Sequence, residues 1–301
     1  MNEFVISTKG LTKRYGDFCA VDNLDLNIPR GTVCGFLGQN GAGKSTTIKM
    51  LLGMVRPSSG TGEILGLDIG DENQSVEIRK RVAYVAEDKR LYDYMTVGQI
   101  IKFTRPFFAD WNYPMEEQLL DEFKLPTGRK IKSLSKGMRT QLALILGLCR
   151  NAEIIILDEP SEGLDPVNNE KMLKVLVGLA ADGKTIFFSS HHVFEVEQIA
   201  EHIIMLHNGK LLDNRPLDQL KANYKLIKLL FDDVPNVNPL QLKGVKSYVQ
   251  VDRSVTLFTD SNEEQIIDTL KINNPSSIEV INLNLRDIFL ESLKAIENYA
   301  S

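Results

Sequence analysis

Gly38-Gln39-Asn40-Gly41-Ala42-Gly43-Lys44-Ser45 is the stretch that decides the fold of this chain. It matches the pattern G-x-x-x-x-G-K-[ST] in full, between an apolar run typical of a strand (residues 32–37) and a run typical of a helix (residues 46–54). Glycines let successive backbone N–H groups converge on phosphate oxygens, and the helix offers its positive N-terminal end. The stretch therefore predicts a phosphate cradle, with a glycine-rich turn that binds no ligand as the alternative.

Individual residues of this loop have separate predicted roles. Lys44 would reach the terminal phosphates of a nucleotide as a point charge, and the Ser45 hydroxyl would help to hold Mg²⁺. The predicted nucleotide-binding residues of the loop are Gly38, Asn40, Gly41, Gly43, Lys44, Ser45 and Thr46.

Length and charge limit the classes of function. A chain of 301 residues predicts about two domains, and its 43% hydrophobic and 25% charged content is ordinary for a globular protein. The net charge of −5 argues against a nucleic-acid partner that relies on a broad basic surface. No segment approaches 18 apolar residues, so we expect that the chain does not span a membrane by itself.

A second candidate catalytic segment follows a continuous aliphatic run at residues 153–157. Such a run suits a strand buried on both faces of a parallel sheet, and it ends in Asp158-Glu159-Pro160. This is the Walker B arrangement, in which Asp158 would bind in the Mg²⁺ shell and Glu159 would polarise the attacking water. The alternative is that these acidic residues cap the next helix.

The region between the two segments changes to helical spacing. We predict a helical insert at about residues 96–150, interrupted by Pro106 and Pro114, with its strongest helix at Gly137 to Arg150. Trp111, the only tryptophan, is expected to pack within this insert.

The residues from about 224 onward have the pattern of a separate domain. After the Asn208-Gly209 hairpin turn and a charged helical connector, strand and helix patterns alternate from about residue 224. We therefore predict an ATP-binding domain at residues 1–223 and a small α+β accessory domain at residues 224–301. The accessory domain would serve packing or dimer support, or else regulation or partner docking.

The motif Leu134-Ser135-Lys136-Gly137-Met138, placed just before Asp158-Glu159, distinguishes among P-loop proteins. With it, the chain resembles the ATP-binding subunit of an ABC transporter, in which a signature of the form LSGGQ precedes Walker B. The resemblance covers about residues 3–212. It implies an α/β fold, namely a P-loop NTPase (RecA-like) core with an antiparallel β subdomain and a helical subdomain, followed here by the C-terminal α+β unit.

The resemblance also implies roles for further residues. Tyr15 stands at the position that stacks on adenine, Glu87 at the Q-loop, Ser161 to Asp165 at the D-loop and His191 at the switch histidine. Taken alone, Tyr15 could be an ordinary turn residue and His191 could cap a strand end. The implied assignments are Glu159, His191 and Lys44 for catalysis, Tyr15, Glu87, Ser135 and Gly137 for binding ATP in addition to the loop, and Ser45, Glu87 and Asp158 for Mg²⁺.

Two departures from the family pattern affect these roles. Lys136 and Met138 replace consensus residues of the signature, whereas Ser135 and Gly137 keep the hydroxyl and the close backbone approach. Glu87 replaces the usual glutamine, so it keeps an oxygen ligand but loses the amide donor and adds a negative charge.

The implied function is ATP hydrolysis that drives a separate membrane permease. Two such ATPases, as a homodimer or heterodimer, would face each other head to tail, with each ATP between one P-loop and the other subunit's signature. The expected location is cytoplasmic, peripheral at the inner face of the cell membrane, and the branch resembles exporters of drugs, antibiotics or envelope-related substrates. The alternatives are an ABC ATPase acting on ribosomes or DNA, and a regulatory module that holds ATP without hydrolysing it.

Overall fold

A computed structural model of the chain describes residues 3–235, 239–272 and 274–300. The chain divides into two compact units, Met1–Asn214 and Arg215–Ser301. The sequence predicted a domain boundary between residues 223 and 224, and this division stays a prediction. The boundary between the two compact units lies earlier in the chain, and the end of one strand and one helix lie between the two positions.

The strands of the described residues alternate with helices along most of the first unit. They are β1 Phe4–Tyr15, β2 Phe18–Leu24, β3 Asn27–Pro29, β4 Val33–Leu37, β5 Ser59–Ile64, β6 Leu67–Asp68, β7 Val82–Val85, β8 Ile154–Asp158, β9 Thr185–Ser190, β10 His202–His207, β11 Lys210–Pro216, β12 Lys225–Leu230, β13 Val245–Val251, β14 Ser254–Thr259 and β15 Ser277–Asn282.

The helices have comparable lengths in both units. They are α1 Lys44–Leu51, α2 Glu72–Arg81, α3 Val97–Thr104, α4 Tyr113–Glu122, α5 Lys136–Leu148, α6 Pro166–Ala181, α7 Val193–Ile199, α8 Leu217–Asn223, α9 Glu263–Lys271 and α10 Leu285–Ala300, with short 3-10 turns at Arg105–Phe107, Ile131–Ser133 and Pro239–Gln241.

A six-stranded sheet in the order β11-β10-β4-β9-β8-β7 forms the α/β core. Strands β10, β4, β9, β8 and β7 pair in parallel, and every residue of β4, β8 and β9 is buried. A parallel sheet covered on both faces explains why these strands are buried throughout and mostly apolar. The order sets the ends of β4, β9 and β8 side by side, which brings the P-loop and Asp158-Glu159 to one edge. The predicted α/β fold class is confirmed.

An antiparallel sheet in the order β2-β1-β5-β6, with β3 also on β1, packs on this core. The alternation of apolar and polar residues at 21–28 predicts one strand, but the structure has β2 and β3 instead. The break has a specific cause, because the buried Thr8 hydroxyl donates to Leu24 O at 2.8 Å and accepts from Leu26 N at 2.9 Å. A side chain from β1 thus replaces ladder hydrogen bonds where the chain turns between the two strands.

The predicted helical insert contains α3, α4 and α5. Pro114 was expected to interrupt a helix, but it lies in the first turn of α4, where its missing N–H costs nothing. The Asn112 side chain caps this helix by accepting from Met115 N at 3.0 Å. As expected, Trp111 is buried, and it donates to Glu116 Oε2 at 2.8 Å. The buried Glu116 carboxylate also accepts hydrogen bonds from Arg105.

One helix is shorter than its sequence pattern suggested. The residue pattern predicts a helix from Val193 to His202, but α7 ends at Ile199, because His202 already pairs with Cys34 at the start of β10. The tertiary pairing of a buried strand overrides the local helical pattern here. The Asn208-Gly209 turn between β10 and β11 is confirmed, with both residues at positive φ (47° and 77°), as a two-residue hairpin turn requires.

The second unit is a four-stranded antiparallel sheet in the order β13-β14-β12-β15 with helices. Its own core joins the buried faces of β12 and β14 to α9, through residues such as Ile227, Leu257, Ile266 and Leu270. This is the predicted small α+β architecture.

Candidate nucleotide-binding site

A pocket of about 300 Å³ opens at the edge of the core sheet beside the P-loop. Its lining combines the loop, the first residues of α1, the start of β2 and two glutamates. The lining residues are Phe18, Ala20, Gln39, Asn40, Gly41, Ala42, Gly43, Lys44, Ser45, Thr46, Glu87 and Glu159.

The P-loop is held by close backbone contacts. Gly43 precedes α1 with φ 105°, and a Cβ atom there would lie 2.4 Å from Ala20 O, so only glycine fits. Thr47, in the first turn of α1, donates its backbone N–H and its hydroxyl to Gly43 O at 2.9 and 3.0 Å. The loop therefore presents the N-terminus of α1 to the pocket in a fixed shape.

Lys44 lies under this loop. Its side chain is only 6% exposed, and its ammonium donates to Gly38 O at 2.7 Å. The same ammonium lies 3.1 Å from Oε1 of Glu159, whose side chain is also 6% exposed. A buried lysine that contacts both the loop backbone and a carboxylate places one positive charge where terminal phosphates would lie.

Glu159 occupies a strained position after β8. Its φ of 48° lies in the left-handed region, which costs a residue other than glycine about 1–3 kcal/mol. The backbone N–H of Glu159 donates to Ser189 O at 3.2 Å and to Ser189 Oγ at 3.1 Å, which holds this conformation. Strain that persists because neighbouring groups fix it is typical of functional sites.

His191 meets the other carboxylate oxygen of this residue. Its Nδ1 lies 2.8 Å from Glu159 Oε2, and its backbone N–H donates to the same oxygen at 3.3 Å. Asp158 is buried beside this group, with its Oδ1 accepting from the Ser189 hydroxyl at 2.6 Å. Three segments, after β4, β8 and β9, thus meet around Glu159.

The structure brings most of the predicted site residues to this pocket but not all. The predicted loop residues other than Gly38 line it together with Glu87 and Glu159, whereas Asp158 and His191 contact the Glu159 segment outside the lining. Tyr15 does not belong to the lining either and has the Lys13 ammonium 5.0 Å from its ring centroid. Ser135 and Gly137 lie at the start of α5, also outside the lining. Ser135 caps that helix by accepting from Met138 N at 3.2 Å.

Two residues of the site were missed from sequence. Phe18, 64% exposed, supplies the aromatic side of the pocket, and nothing in the local pattern distinguishes it from Tyr15. Ser189 holds both Asp158 and Glu159. A signal for Ser189 was present, because a polar residue at the end of an apolar buried strand needs a hydrogen-bond partner.

None of the helices in the described residues has the length and apolar character needed to cross a bilayer.

The parallel core sheet, the P-loop after β4 and the Asp158-Glu159 pair after β8 define an ATPase of the P-loop class in its ABC form. A family model described as ABC transporter matches residues 21–162. The bacitracin transport ATP-binding protein BcrA of Bacillus licheniformis is 32% identical over 294 residues, which is 95% of each chain. The chain belongs to the ABC transporter family, as an ATP-binding subunit with ATPase activity.

Further similar proteins agree with this assignment. The daunorubicin/doxorubicin resistance ATP-binding protein DrrA of Streptomyces peucetius is 30% identical over 281 residues, covering 90% of this chain and 81% of that protein. The solved structure of an ATP binding subunit of an ABC transporter superposes with a TM-score of 0.66 at 27% identity, over 72% of this chain and 92% of that one. The dimeric bacterial cassette MJ0796 gives a TM-score of 0.64 at 25% identity, over 70% and 98%.

Proposed function

We propose that the pocket beside the P-loop binds ATP and that Glu159 activates the water that attacks its γ-phosphate. The observation that carries this proposal is the chain of contacts from Lys44 to Glu159 (3.1 Å) and from Glu159 to His191 (2.8 Å). Lys44 would bind the terminal phosphates, Glu159 would accept the proton of the water, and His191 would orient the Glu159 carboxylate.

The remaining loop residues would bind the phosphates of ATP, and aromatic side chains beside the loop would bind its base. Backbone N–H groups at the start of α1 provide donors for phosphate oxygens, and the helix dipole adds a favourable field. Phe18 is well exposed at the pocket and offers a face for the adenine ring, while Tyr15 remains the residue that the family resemblance implies for this role. The adenine contact is therefore assigned to this aromatic pair of β1 and β2.

Mg²⁺ fits the oxygen atoms that this chain places near the pocket. Ser45 and Glu87 line it, and the Asp158 carboxylate is buried behind it. Within the described ranges no group of three or more His, Cys, Asp or Glu residues forms a metal site on its own, which suits a cation held partly by phosphates. When bound, Mg²⁺ would neutralise charge on the phosphate oxygens, and Ser45, Glu87 and Asp158 are the residues proposed to hold it.

The active form is proposed to be a head-to-tail dimer, with either a second copy or a related ATPase. Ser135 and Gly137 lie at the N-terminus of α5, which attracts anions, yet they do not line the pocket of their own chain. The similar cassette MJ0796 is described as dimeric. A dimer would place this helix start against the γ-phosphate that the other subunit's P-loop binds.

A group of exposed aromatic side chains offers a surface for the membrane permease. Tyr92, Tyr94, Phe103 and Phe107, here the aromatic patch, are 47–70% exposed. The ring centroid of Tyr92 lies 5.9 Å from that of Tyr94 and 6.1 Å from that of Phe103. The ring centroids of Phe103 and Phe107 lie 5.4 Å apart. A contiguous exposed patch of this kind is typical of an interaction site. We assign it to a cytoplasmic segment of the permease, so that the ATPase is peripheral at the inner face of the membrane.

The transported substrate is proposed from the relatives alone. The names of BcrA and DrrA refer to bacitracin and to daunorubicin and doxorubicin, so export of an antibiotic, a drug or an envelope-related compound is the substrate class that we propose.

Two measurements test this function. The purified chain should hydrolyse ATP in a steady-state assay, and turnover should rise more than linearly with protein concentration if the dimer is the active form. Tagged protein should co-purify with a membrane subunit from native membranes, and Tyr94→Ala with Phe107→Ala should weaken this association. Val76→Ala, which removes an exposed apolar side chain from α2, is the control. Absence of ATPase activity at every concentration would reject the proposed chemistry.

A further inference from the structure

The residues that follow Glu159 are packed directly against the start of α5. A Cβ atom on Gly137 would lie 2.4 Å from Gly163 O, so the two backbones approach as closely as glycine allows. The buried hydroxyl of Thr140, in the first turns of α5, donates to Glu162 O at 2.8 Å. Residues 161–165, here the D-loop segment, are therefore held against the helix start that carries Ser135 and Gly137.

A side-chain ion pair adds to these backbone contacts. The Lys136 ammonium binds the Glu162 carboxylate. Lys136 is the first residue of α5, where the helix dipole disfavours a cation, so an anion at this position offsets an unfavourable charge. The pair exists because this chain has lysine where the family signature usually has glycine.

Other positive groups also face Glu162. Its pKa is lowered, chiefly by the hydrogen bond from Lys136, and more weakly by the charges of Lys136, Lys89 and His191. Lys89 donates to Glu87 O at 3.1 Å, which ties it to the segment that lines the nucleotide pocket. The Glu162 carboxylate thus lies near side chains from three segments: Lys89 after β7, Lys136 at the start of α5 and His191 after β9.

The D-loop segment is connected to Glu159 by a short turn. The backbone N–H of Glu162 donates to Glu159 O at 3.3 Å, and that of Leu164 donates to Ser161 O at 2.9 Å. A displacement at the start of α5 would therefore reach the residue proposed as the catalytic base through the Lys136–Glu162 ion pair and the hydrogen bond from Glu162 N–H to Glu159 O.

We propose that Lys136 and Glu162 form a positioning pair that fixes the D-loop segment, and with it Glu159, when the start of α5 meets the nucleotide of the other subunit. This inference rests on the proposed function, in which α5 faces the phosphate bound by the partner. Neither side chain lines the ATP pocket of its own chain. The pair therefore acts on turnover and not on the affinity of one chain for ATP.

A double-mutant cycle on the full-length protein tests the pair. Lys136→Gln and Glu162→Gln should each lower kcat about fivefold with little change in KM, and the double variant should lose about the same fivefold, because the second change removes a partner that is already unpaired. Lys136→Arg, which keeps the charge, should retain most of the activity. Lys174→Met breaks a more exposed ion pair, with Glu170 on α6, and should leave kcat unchanged.

Several outcomes would overturn the pair. Single variants with wild-type kcat would do so, as would a double variant whose loss is the product of the two single losses. A rise in KM without a fall in kcat would assign the residues to nucleotide binding instead.

Hydrogen exchange separates failure of this inference from failure of the proposed function. The amide of Leu164 should exchange about fivefold faster in Lys136→Gln and Glu162→Gln than in wild type, and no faster in Lys174→Met. This readout does not depend on ATPase activity, and thermal unfolding of the variants should stay near that of wild type. If the Leu164 amide exchanges at the wild-type rate in the variants, the positioning pair is rejected even if the wild-type protein hydrolyses ATP. If the amide exchanges faster but the wild-type protein has no ATPase activity, only the proposed function is rejected.

Discussion

The ammonium of Lys44 and the carboxylate of Glu159 lie 3.1 Å apart at the buried end of the nucleotide pocket. The cation proposed to bind phosphates is thus paired with the proposed base. Phosphate oxygens must compete with this carboxylate for Lys44, and their negative charge must approach that of Glu159. The pair therefore links the affinity for ATP to the residue that would catalyse its hydrolysis.

Glu159→Gln should abolish most of the turnover without loss of ATP binding. An amide cannot accept the proton of the attacking water, so kcat should fall by about a hundredfold or more. Removal of the negative charge beside Lys44 should also raise the affinity for ATP. Steady-state ATPase assays and calorimetry give the two quantities, and a variant that turns over at the wild-type rate would show that Glu159 is not the base.

Lys44→Ala should lower the affinity for Mg-ATP by roughly ten- to a hundredfold. The estimate follows from the loss of charge-assisted hydrogen bonds to the phosphates. Isothermal titration calorimetry measures the change, with Lys49→Ala as the control because Lys49 is an exposed lysine of the same helix. Unchanged affinity in the Lys44 variant would contradict the phosphate assignment.

Ser135→Arg should leave binding of ATP to one chain largely intact while it blocks ATP-dependent dimer formation. The P-loop is untouched, but a bulky side chain would fill the space between the start of α5 and the other subunit's phosphate. Light scattering with ATP and steady-state ATPase assays measure both effects.

Mixing Ser135→Arg with Lys44→Ala tests the head-to-tail arrangement itself. In a mixed dimer one site carries both lesions and the other carries neither, so some ATP-dependent dimer and some activity should return if one intact site suffices. Wild-type activity of Ser135→Arg alone would contradict an arrangement in trans.

Glu116→Gln should lower the free energy of unfolding of the first unit by about 2 kcal/mol. The carboxylate is buried and accepts hydrogen bonds from Arg105 and Trp111, so the change leaves a guanidinium without its anion. The usual cost of breaking a buried pair, about 3–5 kcal/mol, is reduced here because Arg105 is partly exposed. Denaturant unfolding followed by circular dichroism measures the change, and Glu117→Gln, at an exposed position of the same helix, should cost nothing measurable.

Glu153→Gln should destabilise the first unit in a pH-dependent way. The hydrogen bond from Arg81 is the main cause that holds the pKa of Glu153 below its ordinary value of 4.5. A carboxyl group with a lowered folded-state pKa stabilises the fold above pH 4.5, and this contribution is lost as the pH falls through the folded pKa. The difference from wild type, about 0.5 kcal/mol for a partly exposed pair, should therefore shrink on acidification. Fluorescence of Trp111 reports unfolding of this unit, and a difference that does not change with pH would contradict the assignment.

The sequence by itself determined the features that depend on local chemistry. The P-loop between a strand and a helix, the acidic pair after a buried strand and the Asn208-Gly209 turn all follow from backbone preferences and residue periodicity within a few positions. The order of the ABC motifs along the chain came from the resemblance of these residues to the family pattern.

Only the tertiary structure decided which side chains meet. Ser189 reaches Asp158 and Glu159 because β9 lies beside β8 in the sheet, and Phe18 lines the pocket because β2 runs against the P-loop at Ala20. The pairing of Lys136 with Glu162, 26 residues apart, likewise depends on the close approach of two glycine-containing backbones. Contacts of this kind arise from strand order and packing, which a single sequence does not encode in any short pattern.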